Sequence, residues 1–103
     1  MSDKNILLKV HKSYRNIIAI CDKELYGQKI TEGIKQLDLT GDFFKGTPMS
    51  EDEAKEEIID QSKEDATFNI IGEKSIRIAK DSGIIIKEGI LKIKGIPFAL
   101  VLL

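Results

Sequence analysis

The chain has 103 residues, of which 42% are hydrophobic and 32% charged, with a formal net charge of −1. That length and balance suit one folded domain with a core of its own and exclude a disordered chain or one that needs disulfides or metal to hold together. Cys21 is the only cysteine, so no intramolecular disulfide exists, and no apolar run approaches the ~20 residues of a membrane-spanning helix. The chain opens Met-Ser-Asp-Lys-Asn, without the basic and apolar regions of a signal peptide, and a cytoplasmic location is expected.

In chain order, residues 5–11 and 16–22 read as strands joined by the four-residue loop Lys12-Ser13-Tyr14-Arg15. Setting His11 opposite Asn16 gathers Ile6, Leu8, Val10, Ile17, Ala19 and Cys21 on one apolar face, which is predicted to look into the core. Residues 28–31 and 34–39 suit two further short strands about the turn Glu32-Gly33. Residues 41–46 read as a compact loop anchored by Phe43 and Phe44. Ser50 with Glu53 three residues on forms a capping box, and the acids that follow favour the positive end of a helix dipole. The spacing predicts a helix over 51–64 with Ala54, Ile58 and Gln61 inward and Ile59 at the edge.

Residues 66–83 read as a second helix ending at Gly83, begun from a cap at Asp65 or continuous with the first. Phe68, Ile71, Gly72, Ser75, Ile78 and Ala79 fall along one face at helical spacing, and three of the six are small. Gly72 inside a helix costs about 1 kcal/mol relative to Ala, so close packing or a ligand should account for it. Asn69 and Glu73, at i and i+4, would flank that contact. A strand over 90–93, a turn over 94–97 and a last strand over 98–102 complete the chain. The unbroken apolar run of the last strand predicts burial on both faces.

The residues exclude several chemistries. One His and one Cys cannot build a structural zinc site, and no metal is expected. In the hairpin register above, His11 and Cys21 lie roughly 16 Å apart at the usual strand rise, too far for a nucleophile and its base. No calcium-binding loop, phosphate loop or Gly-x-Gly-x-x-Gly turn occurs, and no cofactor is implied. The charge is uneven: residues 50–65 hold eight acids against Lys55 and Lys63, a local −6 that leaves +5 on the rest of the chain. Lys9, His11, Lys12, Tyr14 and Arg15 cluster toward the first hairpin loop, an arrangement that can hold phosphate while the ring stacks a base.

Three segments carry a family resemblance: Cys21-Asp22-Lys23-Glu24-Leu25-x-Gly27, Asn69-Ile70-Ile71-Gly72-Glu73 and Ile93-x-Gly95-Ile96-Pro97. In this order and spacing the chain resembles the archaeal family known as domain of unknown function 424 over nearly its whole length. Many members continue Pro-His-Ala-Gln after the last turn, where this chain has Pro97-Phe98-Ala99-Leu100, so a role for that polar pair does not carry over. The resemblance implies an archaeal cytoplasmic protein linked to translation or RNA handling, with no activity attached.

The sequence therefore predicts a single α+β domain spanning 1–103. It has an antiparallel sheet, flat or curved, with two helices inserted before the last two strands; the final strand is expected beside the first hairpin, closing the sheet around helix 66–82. The leading expectation for function is a non-enzymatic module that contacts RNA, the ribosome or a translation factor through Lys9, His11, Lys12, Tyr14 and Arg15. The alternatives are a ligand or structural site at Asn69, Gly72, Glu73, Gly95 and Pro97, and a protein-interaction module using the acidic helix 51–64. No catalytic residue is assigned.

Overall fold

Alternating apolar residues on both faces of the early strands require cover on two sides, and the architecture supplies it in three layers. The computed structural model describes residues 3–85 and 89–102. Strands β1 (Ile6–His11), β2 (Ile17–Asp22), β5 (Thr47–Met49), β6 (Thr67–Ile71), β7 (Leu91–Ile93) and β8 (Ile96–Leu102) form one open sheet in the order β5-β1-β2-β6-β8-β7. Its pairs are antiparallel except β2–β6, which is parallel. Helices α1 (Glu51–Ser62) and α2 (Glu73–Asp81) lie on one face, over Ile6, Leu8, Ile18, Ile20, Phe68 and Ile70. A separate hairpin, β3 (Lys29–Glu32) and β4 (Lys35–Asp38), covers part of the other face through Ile30 and Leu37, over Leu7, Ala19, Cys21 and Ile71.

The mixed α+β architecture with two helices before the last two strands is as the sequence predicts, and four of its details differ. His11 pairs with Ile17 rather than Asn16, because the loop takes five residues. This one-residue slip exchanges faces: Ile6, Leu8 and Val10 sit with Asp22, Ile20 and Ile18, while Ala19 and Cys21 sit with Lys9 and Leu7. Residues 67–71 are a strand and not the first turns of a helix, with Phe68 and Ile70 toward the helices and Asn69 and Ile71 toward the hairpin. The last strand pairs with β6 and β7, so the sheet stays open instead of closing around a helix. Finally, β8 is not buried on both faces: Ala99 and Val101 are buried, but Leu100 and Leu102 are 59% and 73% exposed.

The capping box at the start of α1 is present in both directions, Ser50 Oγ accepting from the Glu53 N–H and Glu53 accepting from the Ser50 N–H. Ala54 and Ile58 are its buried residues, and Gln61 accepts a hydrogen bond from Asn16 at the base of the first hairpin. Phe44 is buried as predicted for the 41–46 loop.

Candidate functional site

The start of α2 is built around a buried carboxylate. Asp22 ends β2 on the helix side of the sheet and is 3% exposed. Its Oδ2 accepts from the Lys74 N–H at 3.1 Å, and its Oδ1 accepts from the Ser75 N–H and the Ser75 hydroxyl, both at 2.8 Å. Asp22 therefore caps a helix from a strand far away in sequence and answers amides that the helix cannot bond internally. Gly72 is the turn between β6 and α2, with φ 113° and ψ 154°, a region only glycine enters readily. A Cβ there would lie 2.4 Å from Asp22 Cγ. The reason for Gly72 is thus the approach of Asp22, not close packing within a helix.

The three segments of the family resemblance converge here. The Gly72 N–H donates to the Pro97 carbonyl at 2.8 Å, tying the β6–α2 turn to β8. Lys94 and Gly95 form the β7–β8 turn with φ 50° and 77°. A cleft of about 320 Å³ opens between these turns, lined by Asp22, Glu24, Glu73, Lys74, Arg77 and Gly95. Next to it, a groove of about 520 Å³ runs between α2 and the β7–β8 hairpin, over Ile76, Ile90 and Pro97, with Glu73 and Arg77 common to both. Lys80, Asp81 and Lys92 complete its rim.

Two of the cations are answered locally. Lys74 pairs with Glu24 at 2.6 Å, which holds the Glu24 carboxyl below its ordinary range and raises the lysine. Arg77 pairs with Glu51 of α1 at 2.5 Å, its pKa raised by that hydrogen bond and the Glu51 charge and, to a lesser degree, by Asp22 and Asp81. Glu73, Lys80 and Lys92 have no ion pair among the described residues. Lys80, Arg77 and Glu73 were not singled out together in the sequence, although their i, i+4, i+7 spacing on α2 is a charged stripe that could have been read. Asp22 stands in the first family segment and ends an apolar strand, but neither feature marks it as the cap of a distant helix.

The other predicted residues are dispersed. Asn69 lies on the hairpin side of the sheet, paired across to Ala19 and Leu100, so it does not join Glu73. Phe98 shares that face, in the row of Ile71. At the first hairpin, Lys9 donates to the Asp42 carbonyl at 3.0 Å, and His11 Nε2 lies 2.9 Å from the Phe43 carbonyl with its ring stacked on Phe43 at 4.5 Å. These two hold the 41–46 loop against β1. Lys12, Tyr14 and Arg15 are exposed on the loop, Tyr14 completely, and the Ser13 hydroxyl donates to the Arg15 carbonyl. The Thr67 N–H donates to the Asn16 carbonyl, which brings the acidic end of residues 50–65 beside this basic loop.

Cys21 is fully buried, and burial first, then the charges of Asp22 and Glu24, push its thiol up to about 12, so it is no nucleophile at neutral pH. No group of three or more His, Cys, Asp or Glu side chains is placed to hold a metal ion among the described residues. No described helix is long and apolar enough to cross a membrane.

Comparison with known proteins adds a fold relative and a family. The crystal structure of an uncharacterized conserved protein from Methanopyrus kandleri matches with a TM-score of 0.81 and 26% identity, over 94% of this chain and 91% of that one. No curated protein matches the chain. The family described as protein of unknown function (DUF424) matches residues 10–103. Nearly the whole chain is covered, including all three segments that meet at the Asp22–Gly72 turn, and the chain belongs to this archaeal family.

Proposed function

We propose that the protein is a cytoplasmic, non-enzymatic binding module whose ligand lies in the groove between α2 and the β7–β8 hairpin. One observation carries this reading: side chains of both signs, Glu73 and Asp81 with Lys80 and Lys92, rim an apolar floor of Ile76, Ile90 and Pro97. That combination suits a small zwitterion with an apolar body, such as an apolar amino acid, its ammonium facing the acids and its carboxylate the lysines. Backbone amide shifts during titration with L-leucine test it. Saturable shifts at Ile76, Arg77, Lys80 and Ile90 are expected, weaker with N-acetyl-leucine and with leucinamide, each of which lacks one charge. No saturable shift, or equal response to all three, rejects the reading.

A second reading, contact with RNA or a ribonucleoprotein of the translation apparatus, is favoured by the fully exposed Tyr14 between Lys12 and Arg15. An aromatic between cations at a loop tip can stack a base while the cations meet phosphate. Lys9 and His11 support this loop only indirectly, since both hold the 41–46 loop. Anisotropy of a labelled single-stranded RNA should show affinity that falls steeply with added salt and drops in Tyr14→Ala. Salt-insensitive or absent binding refutes it.

A further inference from the structure

Asn69 lies on the face of the sheet turned away from both helices, in a row with Ala19 and Leu100. The row above it is Cys21, Ile71 and Phe98, and Leu102 ends the row below. A carboxamide in such apolar company is expected to find a partner in the protein. The carboxamide of Asn69, half-buried, makes no hydrogen bond to any described residue, its backbone alone being engaged in the sheet. Its amide opens instead into a groove of about 280 Å³ between the β3–β4 hairpin and β8, with Leu37, Phe44, Phe98 and Leu100 around it and Gln36 at the rim. An aliphatic side chain at position 69 would extend the apolar surface without leaving a polar group to satisfy.

A carboxamide sets an acceptor beside a donor, and both are satisfied at once only by an edge that sets a donor beside an acceptor. The volume is close to the lower limit of ordinary ligand pockets and fits a ligand the size of one heterocycle. We propose that this groove binds a nucleobase carrying an amino group next to a ring nitrogen, adenine or cytosine. The amino N–H donates to Asn69 Oδ1, the ring nitrogen accepts from Asn69 Nδ2–H, and the ring faces meet the apolar side chains of β4 and β8. Among the described residues, no ionic side chain other than Asp38 lines the groove, and that carboxylate already accepts from the Thr40 N–H at 2.9 Å and from its hydroxyl. Recognition therefore rests on the base, and the sugar and any phosphate lie outside. The base comes from a free nucleoside or from a single strand. The site shares no residue with the α2 groove and stands or falls independently of it.

The test is titration of the full chain with adenosine, cytidine, N6,N6-dimethyladenosine and a short oligoadenylate, followed by backbone amide shifts. Adenosine or cytidine should produce saturable shifts at Leu37, Phe44, Asn69, Phe98 and Leu100. Dimethyladenosine, which lacks the donor, should bind about 10-fold more weakly or worse, as should adenosine to Asn69→Leu. Asn69→Leu should melt at or above the wild-type temperature, which a structural role for the amide would not permit. Oligoadenylate binding more tightly than adenosine assigns the base to a strand, and equal affinity assigns it to a nucleoside. The proposal is overturned if neither nucleoside gives saturable shifts there, if dimethyladenosine binds as well as adenosine, or if Asn69→Leu keeps full affinity or loses stability.

Discussion

Replacing Gly72 with alanine should damage the protein through Asp22. The new Cβ would stand 2.4 Å from Asp22 Cγ, so the carboxylate must retreat from the Lys74 and Ser75 amides and from the Ser75 hydroxyl. Loss of an N-cap carboxylate costs roughly 1–2 kcal/mol, and more when a buried hydroxyl such as that of Ser75 is left unanswered. Holding alanine at φ 113° adds about 1–3 kcal/mol of backbone strain. Together Gly72→Ala should cost about 3–5 kcal/mol, a large part of the 5–15 kcal/mol typical of a small domain. Asp22→Ala should cost roughly 2–4 kcal/mol for the same lost cap. The double variant separates the causes. With the carboxylate gone, Gly72→Ala should cost only its backbone strain, leaving a coupling of about 1–3 kcal/mol in urea unfolding. Full additivity would mean that the side chain at 72 does not meet Asp22, and the account of this turn would be wrong.

Other outcomes follow from the surface and the core. Lys74→Ala and Arg77→Ala remove exposed ion pairs and should each change stability by less than about 1 kcal/mol, in contrast to Asp22→Ala. Hydrogen bonds from Lys4 and then from Ser50 hold the Glu53 carboxyl down to about 2 from an ordinary 4.5. Because the folded value is the lower one, the contribution of Glu53 is complete above about pH 4.5 and disappears as the pH falls toward 2. Urea midpoints at points across that interval should accordingly fall less steeply with acid in Glu53→Gln than in wild type. Cys21 should resist a thiol reagent at pH 8 in the native protein and react at a rate set by unfolding in urea.

The parts of this fold that were legible were those encoded by neighbours in sequence. Ser50 and Glu53 announce a helix start, and Gly33 announces the tip of the β3–β4 hairpin. The register of β1 and β2 was not legible because both faces of β2 are apolar, Ile18 and Ile20 on one side and Ala19 and Cys21 on the other. A pattern that is apolar on both sides does not distinguish a strand from its one-residue slip. The stretch 66–79 misleads for a related reason. Phe68, Ile71, Ser75 and Ile78 match a helical period across what is half strand and half helix, and only the β-branched and aromatic run Thr67-Phe68-Asn69-Ile70-Ile71 argued otherwise. Of the five residues Asn69, Gly72, Glu73, Gly95 and Pro97, the structure places the last four near one another and Asn69 on the other face of the sheet. Asp22, which organises them, stands in the first family segment, but its role as a cap is not legible there because its partners are 52 and 53 residues away.

The parallel pairing of β2 with β6 also has a kinetic meaning. Every other neighbour in the half β5-β1-β2 belongs to residues 6–49, and every neighbour in the half β6-β8-β7 belongs to residues 67–102. Each half can form its own antiparallel pairs early, but joining them requires residues 17–21 to find 67–71 across the whole β3–β4 hairpin and α1. Contacts of such long sequence separation are slow to form, because the intervening chain must be ordered before they stabilise anything. The β2–β6 junction is therefore the gate to the native state. Substitutions along it, such as Ile18→Val or Ile70→Val, should slow folding, while equally destabilising changes at the outer edges should chiefly speed unfolding.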